Sequence, residues 1–368
     1  MSRAREIADL GSPAASGLSN KNIIINGAAT VHQRGNQATT NGGFVYFVDR
    51  FNVFHNCASA VANLQQSTVV PSGQGFGNSM LIDVTTADTS IASGEVVVLR
   101  QVIEGQNLQR LSYGTSSAKS LTISFWVRST KTGTYTLEIY HNATQARNQN
   151  HPYTISQADT WEYKSITFSG DTSATIDNDN QATFYVQWAL AAGSDYTSGT
   201  QQTTWANFTN ANRFAGQVNF FDSTSNNFYL TGVQMEVGEV ATPFEHEDIV
   251  TTLAKCQRYF HRFQSDTNYD AFAPAYWLVT TQVYSMYEFP VTMRDQPAMT
   301  VSSFTANDWR IHSNGGDGNL GSLIINRCTP NNVQTYSDQS SNTGTAGYAG
   351  AIRNYGSTSP YIEFSAEL

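Results

Sequence analysis

The chain has 368 residues, with 20 Lys and Arg against 29 Asp and Glu and a formal net charge of −9. Phosphate backbones require basic patches; with this balance, and no basic run beyond Arg3 and Arg5, no nucleic-acid partner is expected. Charged residues make up 13% of the chain and aromatic residues 12%; few charges with much Thr, Ser, Asn, Gln and Gly is a composition for pleated strands and polar turns rather than solvated helices.

No stretch approaches the ~20 apolar residues of a spanning helix, and no apolar signal-peptide core opens the chain, so membrane insertion is not expected. Cys57, Cys256 and Cys328 lie far apart and in no CxxC spacing. Neither a disulfide framework nor a zinc site is expected from them, and no cofactor is called for.

Residues 2–10 have the spacing of a short helix with Ile7 and Leu10 on one side, and 11–19 read as a small-residue linker. A tail of this kind is mobile on its own, so Arg3, Arg5, Ile7 and Leu10 are the candidate anchors onto a larger assembly. Residues 22–26, 44–54, 63–70, 80–85 and 95–102 have strand composition, and 104–113 a loop or short helix. In 121–128, Leu121, Ile123, Phe125 and Val127 alternate with Thr122, Ser124, Trp126 and Arg128, the period of two that sends neighbouring side chains to opposite faces. A turn at 129–134 follows. Tyr135, Leu137 and Ile139 then alternate with Thr136, Glu138 and Tyr140, so 121–140 predicts a hairpin needing further strands to cover its apolar face.

Strands are further predicted at 161–168, at 183–190 with Phe184, Val186, Trp188 and Leu190 on one face, and at 227–237. A polar loop at 169–181 and an aromatic-bearing loop at 191–215 separate them. Short strands at this spacing predict an all-β antiparallel jelly-roll sandwich over 20–249. Beyond a junction at 242–249, Leu253, Cys256, Tyr259 and Phe260 recur at helical spacing in 250–262, with Thr251 or Thr252 as cap. Strands resume at 276–284, 298–304, 322–326 and 361–366, giving a second, smaller β domain over 250–368.

Motifs for catalysis are missing. His246 and Glu247 lack the second His of HExxH, there is no GxSxG elbow, and the glycines of 73–78 precede a strand and lack a Lys. The chain is not expected to be an enzyme, although a carboxylate pair of the glycosidase kind is defined in space rather than in sequence. Asp171, Asp177 and Asp179 offer hard oxygen ligands, but their spacing is not that of a calcium loop; a solvated acidic loop is the simpler reading. The outward positions of the central strands are more informative. Trp126, Arg128, Glu138, Tyr140, Tyr185 and Gln187 combine rings that stack on pyranose faces with groups that bind hydroxyls. The same residue types also make subunit interfaces, which bury the whole face where a site leaves a cleft.

Six segments taken together, NIIINGAATVHQRG (22–35), VDRF (48–51), LTISFWVRS (121–129), TFYVQWAL (183–190), LTGVQMEVGEVATPFEH (230–246) and AKCQRYFHRF (254–263), resemble a family of virion proteins of tailed bacteriophages of marine bacteria and cyanobacteria, described as tail fibre or appendage proteins. SRAREIADLG at 2–11 resembles their N-terminal anchor. The resemblance implies a first domain similar to the jelly rolls of carbohydrate-binding modules, a homotrimer, attachment to other virion proteins through the N-terminus, and recognition of host-surface polysaccharide by a particle assembled in the host cytoplasm. It supplies no binding residues. A capsid-decorating or tail-stiffening protein without a ligand is the structural alternative, and a glycan-degrading enzyme the catalytic one.

Overall fold

The computed structural model describes residues 20–265, 267–302, 308–314, 316–338, 344–355 and 360–368. The anchors expected at Arg3, Arg5, Ile7 and Leu10 lie outside the described residues. The chain divides into two compact units, one ending at Thr252 and the other running Leu253–Glu367.

The first unit holds β1 (Gln37–Ala38), β2 (Gly43–Tyr46), β3 (Phe51–Asn56), β4 (Val61–Ser67), β5 (Ser79–Thr86), β6 (Val96–Glu104), β7 (Leu121–Ser129), β8 (Gly133–His141), β9 (Arg147–Ile155), β10 (Glu162–Phe168), β11 (Ala182–Ala192), β12 (Ala206–Asn207) and β13 (Asn227–Val237). They form two antiparallel sheets, a six-stranded one in the order β1-β4-β5-β13-β7-β10 and a seven-stranded one in the order β12-β9-β8-β11-β6-β3-β2. The predicted alternation decides the packing. Leu121, Ile123, Phe125 and Val127 of β7 and Phe184, Val186, Trp188 and Leu190 of β11 enter one core between the sheets. There the Phe125 ring meets Trp188 edge-on, centroids 5.7 Å apart at 90°, an arrangement the ring quadrupoles favour. This is a jelly-roll sandwich.

The expected hairpin at 121–140 does not form. β7 pairs with β10 and β13, and β8 pairs with β9 and β11. Residues 129–134 instead carry the chain from one sheet to the other. The crossing is fixed by Thr130 N–H donating to Asn227 O (3.1 Å) and Val218 N–H donating to Thr134 O (3.0 Å). Gly133 makes it possible: its φ is +134°, and a Cβ there would come within 2.4 Å of Val218. Facing one another across the core, the two apolar rows cover each other, which a flat hairpin could not do.

Three other segments differ from expectation. Residues 22–26 form no strand, because Asn22 Oδ1 accepts from the amides of Ile24 and Met235 (both 3.0 Å) and bends the backbone. Residues 44–54 are two strands, β2 and β3, turned at Arg50 with φ +72°. β9 had no apolar pattern to reveal it, since Asn148 and Asn150 are buried through side-chain hydrogen bonds rather than through hydrophobicity.

The second unit opens on the helix Ile249–Gln257, which begins in the first. Its cap is Asp248, whose Oδ1 accepts from Thr251 N–H at 2.9 Å, rather than Thr251 or Thr252; a carboxylate one turn ahead satisfies an orphan helix amide and suits the dipole. β14 (Phe260–Gln264), β15 (Ala271–Val279), β16 (Gln282–Glu288), β17 (Ala298–Val301), β18 (Trp309–Ser313), β19 (Gly316–Asn319), β20 (Ile324–Cys328), β21 (Asn332–Asp338), β22 (Ala349–Asn354) and β23 (Tyr361–Ser365) follow. The sheets are β14-β23-β17 and β19-β18-β22-β15-β16-β21-β20, so the strand predicted at 276–284 is in fact the β15–β16 hairpin. Trp277, Tyr287, Trp309, Ile352 and Phe364 lie in its core. The outer face carries a ladder of stacked Tyr276, Tyr284 and Tyr336 with centroids 6.0 Å apart.

Because Phe125 is wholly buried and its neighbour Trp126 is not, Phe125→Ala is expected to destabilise the protein by about 3–5 kcal/mol, and Trp126→Ala by less than about 1 kcal/mol. Urea unfolding of the two variants checks the assignment of the faces.

Candidate functional site

The seven-stranded sheet of the first unit turns one face to the core and the other outward. Across the outward face the strand register lines up Asn150, Glu138, Gln187, Arg100, Asn52 and Tyr46 in one row. Tyr140 and Tyr185 are partners in the adjoining row, and Phe54 and Phe44 in the row on the other side.

Half of this face is covered. Glu138 is fully buried. Its carboxylate accepts from Asn148 Nδ2 (2.8 Å), Gln187 Nε2 (3.0 Å), and both Nε (3.1 Å) and Nη2 (2.7 Å) of Arg213. Arg213 belongs to the segment between β11 and β13, and the pair holds that segment down over β8 and β9. Phe214 follows it into a small cluster with Val96, Val98 and Ala189. Gln187 is buried with Glu138. Expected as sugar ligands, these two instead form a brace: a buried carboxylate is tolerable only when its lone pairs are filled, and here the fold fills them.

The other half stays accessible along a row of rings, Tyr140, Tyr185 and Phe54 being half-buried and Phe44 exposed. Tyr140 and Tyr185 meet edge-on at 5.4 Å, and Phe208 closes on Tyr140 at 5.0 Å. On the far side Phe44 and Phe54 lie 5.1 Å apart, Phe44 being 57% exposed. Between these two aromatic groups sits Arg100, its guanidinium 4.3 Å from the Phe44 centroid, 5.6 Å from Phe54 and 5.1 Å from Tyr185. Burial pushes the Arg100 pKa below its ordinary value. The open half is thus a strip walled by rings with a cation at its floor.

Of the six residues expected on one face, the structure brings four together: Glu138, Tyr140, Tyr185 and Gln187. Trp126 and Arg128 lie on β7, in the other sheet, so their outward side is the opposite surface of the sandwich. There Trp126 packs on Tyr163 (5.4 Å), and Arg128 donates to Asp159 (3.0 Å) while lying over Tyr229 (5.2 Å). The separation follows from the crossing at 129–134. Sequence reasoning passed over Phe44, Phe54 and Arg100. The available signal was Arg100 itself, a single charge in the apolar run VVVLRQVI (96–103).

The acidic loop does not gather its carboxylates. Asp171 is buried and accepts from Arg147 Nε (2.8 Å) and Ser173 N–H (3.0 Å). Asp177 and Asp179 line a separate cavity of about 430 Å³ together with His141 and Gln145. Among the described residues, Cys57, Asp88 and Glu95 are a trio close enough to share an ion. Glu95, however, has both oxygens taken by the amides of Ala58 and Ala92 (2.8 Å each), which hold its pKa down, and burial pushes the Cys57 thiol up, away from the thiolate a metal needs. All three cysteines are free thiols. Among the described residues no helix is long and apolar enough to cross a membrane.

No protein family profile matches the chain, and no curated protein matches it either. Among solved structures, the enzymatically active domain of tailspike protein 4 of bacteriophage CBA120 is 10% identical with a TM-score of 0.30; the match covers 59% of this chain and 21% of that one. The family 11 carbohydrate-binding module of a cellulosomal cellulase of Clostridium thermocellum is 14% identical with a TM-score of 0.28, over 58% of this chain and 98% of the module. A putative sugar binding protein of Bacteroides thetaiotaomicron is 11% identical with a TM-score of 0.32, over 59% and 99%. What the open strip binds has to be argued from the strip.

His141 is buried beside that cavity, with Nδ1 making no hydrogen bond and lying 4.0 Å from Asp171. Burial lowers its pKa from 6.5 to about 4. The unfolded chain therefore binds a proton here before the folded one does. This contribution is complete above pH 6.5 and is lost as pH falls toward 4. At most it is worth roughly 3 kcal/mol, at ~1.4 kcal/mol per pKa unit. His141→Gln is expected to flatten the dependence of unfolding free energy on pH across that window, as urea titrations at successive pH values measure.

Proposed function

We propose that this chain is a glycan-recognising appendage protein of a tailed-phage particle, with the open half of the seven-stranded sheet as its sugar site. One observation carries the reading: Tyr140, Tyr185, Phe54 and Phe44, all at least partly exposed, flank the buried polar side chains of Arg100 and Asn52, although the same fold braces a segment over the neighbouring part of that sheet. Rings that stack on the apolar faces of pyranoses, with a few convergent polar groups between them, are what a sugar needs. The phage setting and the attachment through residues 1–19 rest on the sequence resemblance.

On an array of bacterial surface glycans, Tyr185→Ala is expected to bind the sugars that wild type recognises at least tenfold more weakly, while Trp126→Ala on the opposite sheet binds like wild type. Loss at Trp126 with Tyr185 indifferent would place the site on the wrong surface. For the particle role, deletion of residues 2–19 is expected to leave the protein folded but missing from purified virions, measured by immunoblot. Normal incorporation would remove the anchoring proposal.

A further inference from the structure

Several arginines of the first unit are paired with carboxylates. Arg147 Nε donates to Asp171 at 2.8 Å, Arg128 Nη2 to Asp159 at 3.0 Å, and Arg213 Nη2 to Glu138 at 2.7 Å. Arg100 differs. It lies at the centre of β6, 8% exposed. Its Nε donates to Asn52 Oδ1 at 3.0 Å, while neither Nη makes a hydrogen bond or an ion pair with the described residues. The rings of Phe44, Phe54 and Tyr185 stand around it. Cation–π contact recovers part of the cost of burying a guanidinium, and the bond to Asn52 fixes the plane of the fork. Two donor groups remain beside these rings with no acceptor among the described residues.

From this geometry we infer that the strip takes an acidic sugar, and that Arg100 binds the anionic group of a residue stacked on the ring of Phe44 or Tyr185. The inference rests on the sugar-site reading above and names its ligand class. A planar fork matches a carboxylate or a sulfate ester through two parallel hydrogen bonds, stronger than those to a neutral hydroxyl. A buried cation without a counter-ion gains most from a ligand that supplies one. The chain as a whole carries a net charge of −9, so its overall field repels polyanions. Affinity for one therefore has to arise from short-range contact at Arg100 rather than from diffuse attraction, and salt will affect it only modestly.

The full-length protein is titrated by calorimetry with oligogalacturonate, with the same oligomer methyl-esterified, with a sulfated galactan oligomer, and with a neutral galactan oligomer. Wild type is expected to bind one of the acidic oligomers at least tenfold more tightly than its neutral counterpart. Preference for the uronate over its ester identifies a carboxylate as the anion, and preference for the sulfated galactan identifies a sulfate. Arg100→Gln is expected to abolish the preference while keeping residual binding to the neutral form, and Arg100→Lys, which keeps the charge without the fork, to fall between. Circular dichroism and thermal unfolding confirm that each variant is folded. Equal binding of acidic and neutral oligomers, both lost in Tyr185→Ala, overturns the acidic-ligand inference and leaves the sugar site standing. Binding unaffected by both Arg100→Gln and Tyr185→Ala overturns the site as well, and no binding to either acidic oligomer overturns the inference.

Discussion

The fully buried carboxylate of Glu138 is the constraint on which the outward face of the first unit depends. It sits where alternation along β8 places it, on the side away from the core, yet no water reaches it. Four donors from three residues fill its lone pairs, and the strongest of them, Arg213, arrives from a segment more than seventy positions along the chain. A buried charge deprived of such partners costs several kcal/mol, so the segment is held where it lies. Its placement limits the sheet's exposure: the outward residues of β8, β11 and β6 are largely buried, and what stays accessible is the run of rings at Tyr140, Tyr185, Phe54 and Phe44. The strip exists because its neighbour is closed.

Sheet composition then decides what the open surface can do. β6 is apolar at six of its nine residues, and the one charge in its centre is packed among rings rather than against an acid. Tyr140 and Tyr185 come from one side of that charge, and Phe44 and Phe54 from the other. Neither group comes from a loop. Each side chain is carried by a strand whose inward neighbours, such as Val53, Leu99 and Val186, are locked in the core, which gives the strip the rigidity that recognition of a stacked ring needs.

Alternation made much of this legible. Leu121 to Val127 and Phe184 to Leu190 face inward as their period of two requires, and Tyr140 and Tyr185 do share a surface. Pairing was not legible. The strands on either side of 129–134 are neighbours in sequence, and nothing local says that Gly133 will turn the chain across the core instead of back along the same sheet; that depends on Val218 and Asn227, far downstream. For this reason Trp126 and Arg128 were grouped with residues on the far side of the sandwich. Burial of Glu138 and Gln187 was equally hidden, because an outward position is exposed only until another segment covers it. β9 escaped notice for a related reason: Asn148 and Asn150 are buried by hydrogen bonding, which leaves no hydrophobic trace.

Arg100 was readable and was overlooked. A lone cation in VVVLRQVI needs a reason to be there, since a strand buried along its whole length gains nothing from it. The most direct measurement is the amide chemical-shift change of isotope-labelled protein as a recognised oligosaccharide is added. The account requires the largest shifts along β2, β3, β6 and β11. Shifts centred instead on β7 and β10, or on the tyrosine ladder of β15, β16 and β21, would contradict it.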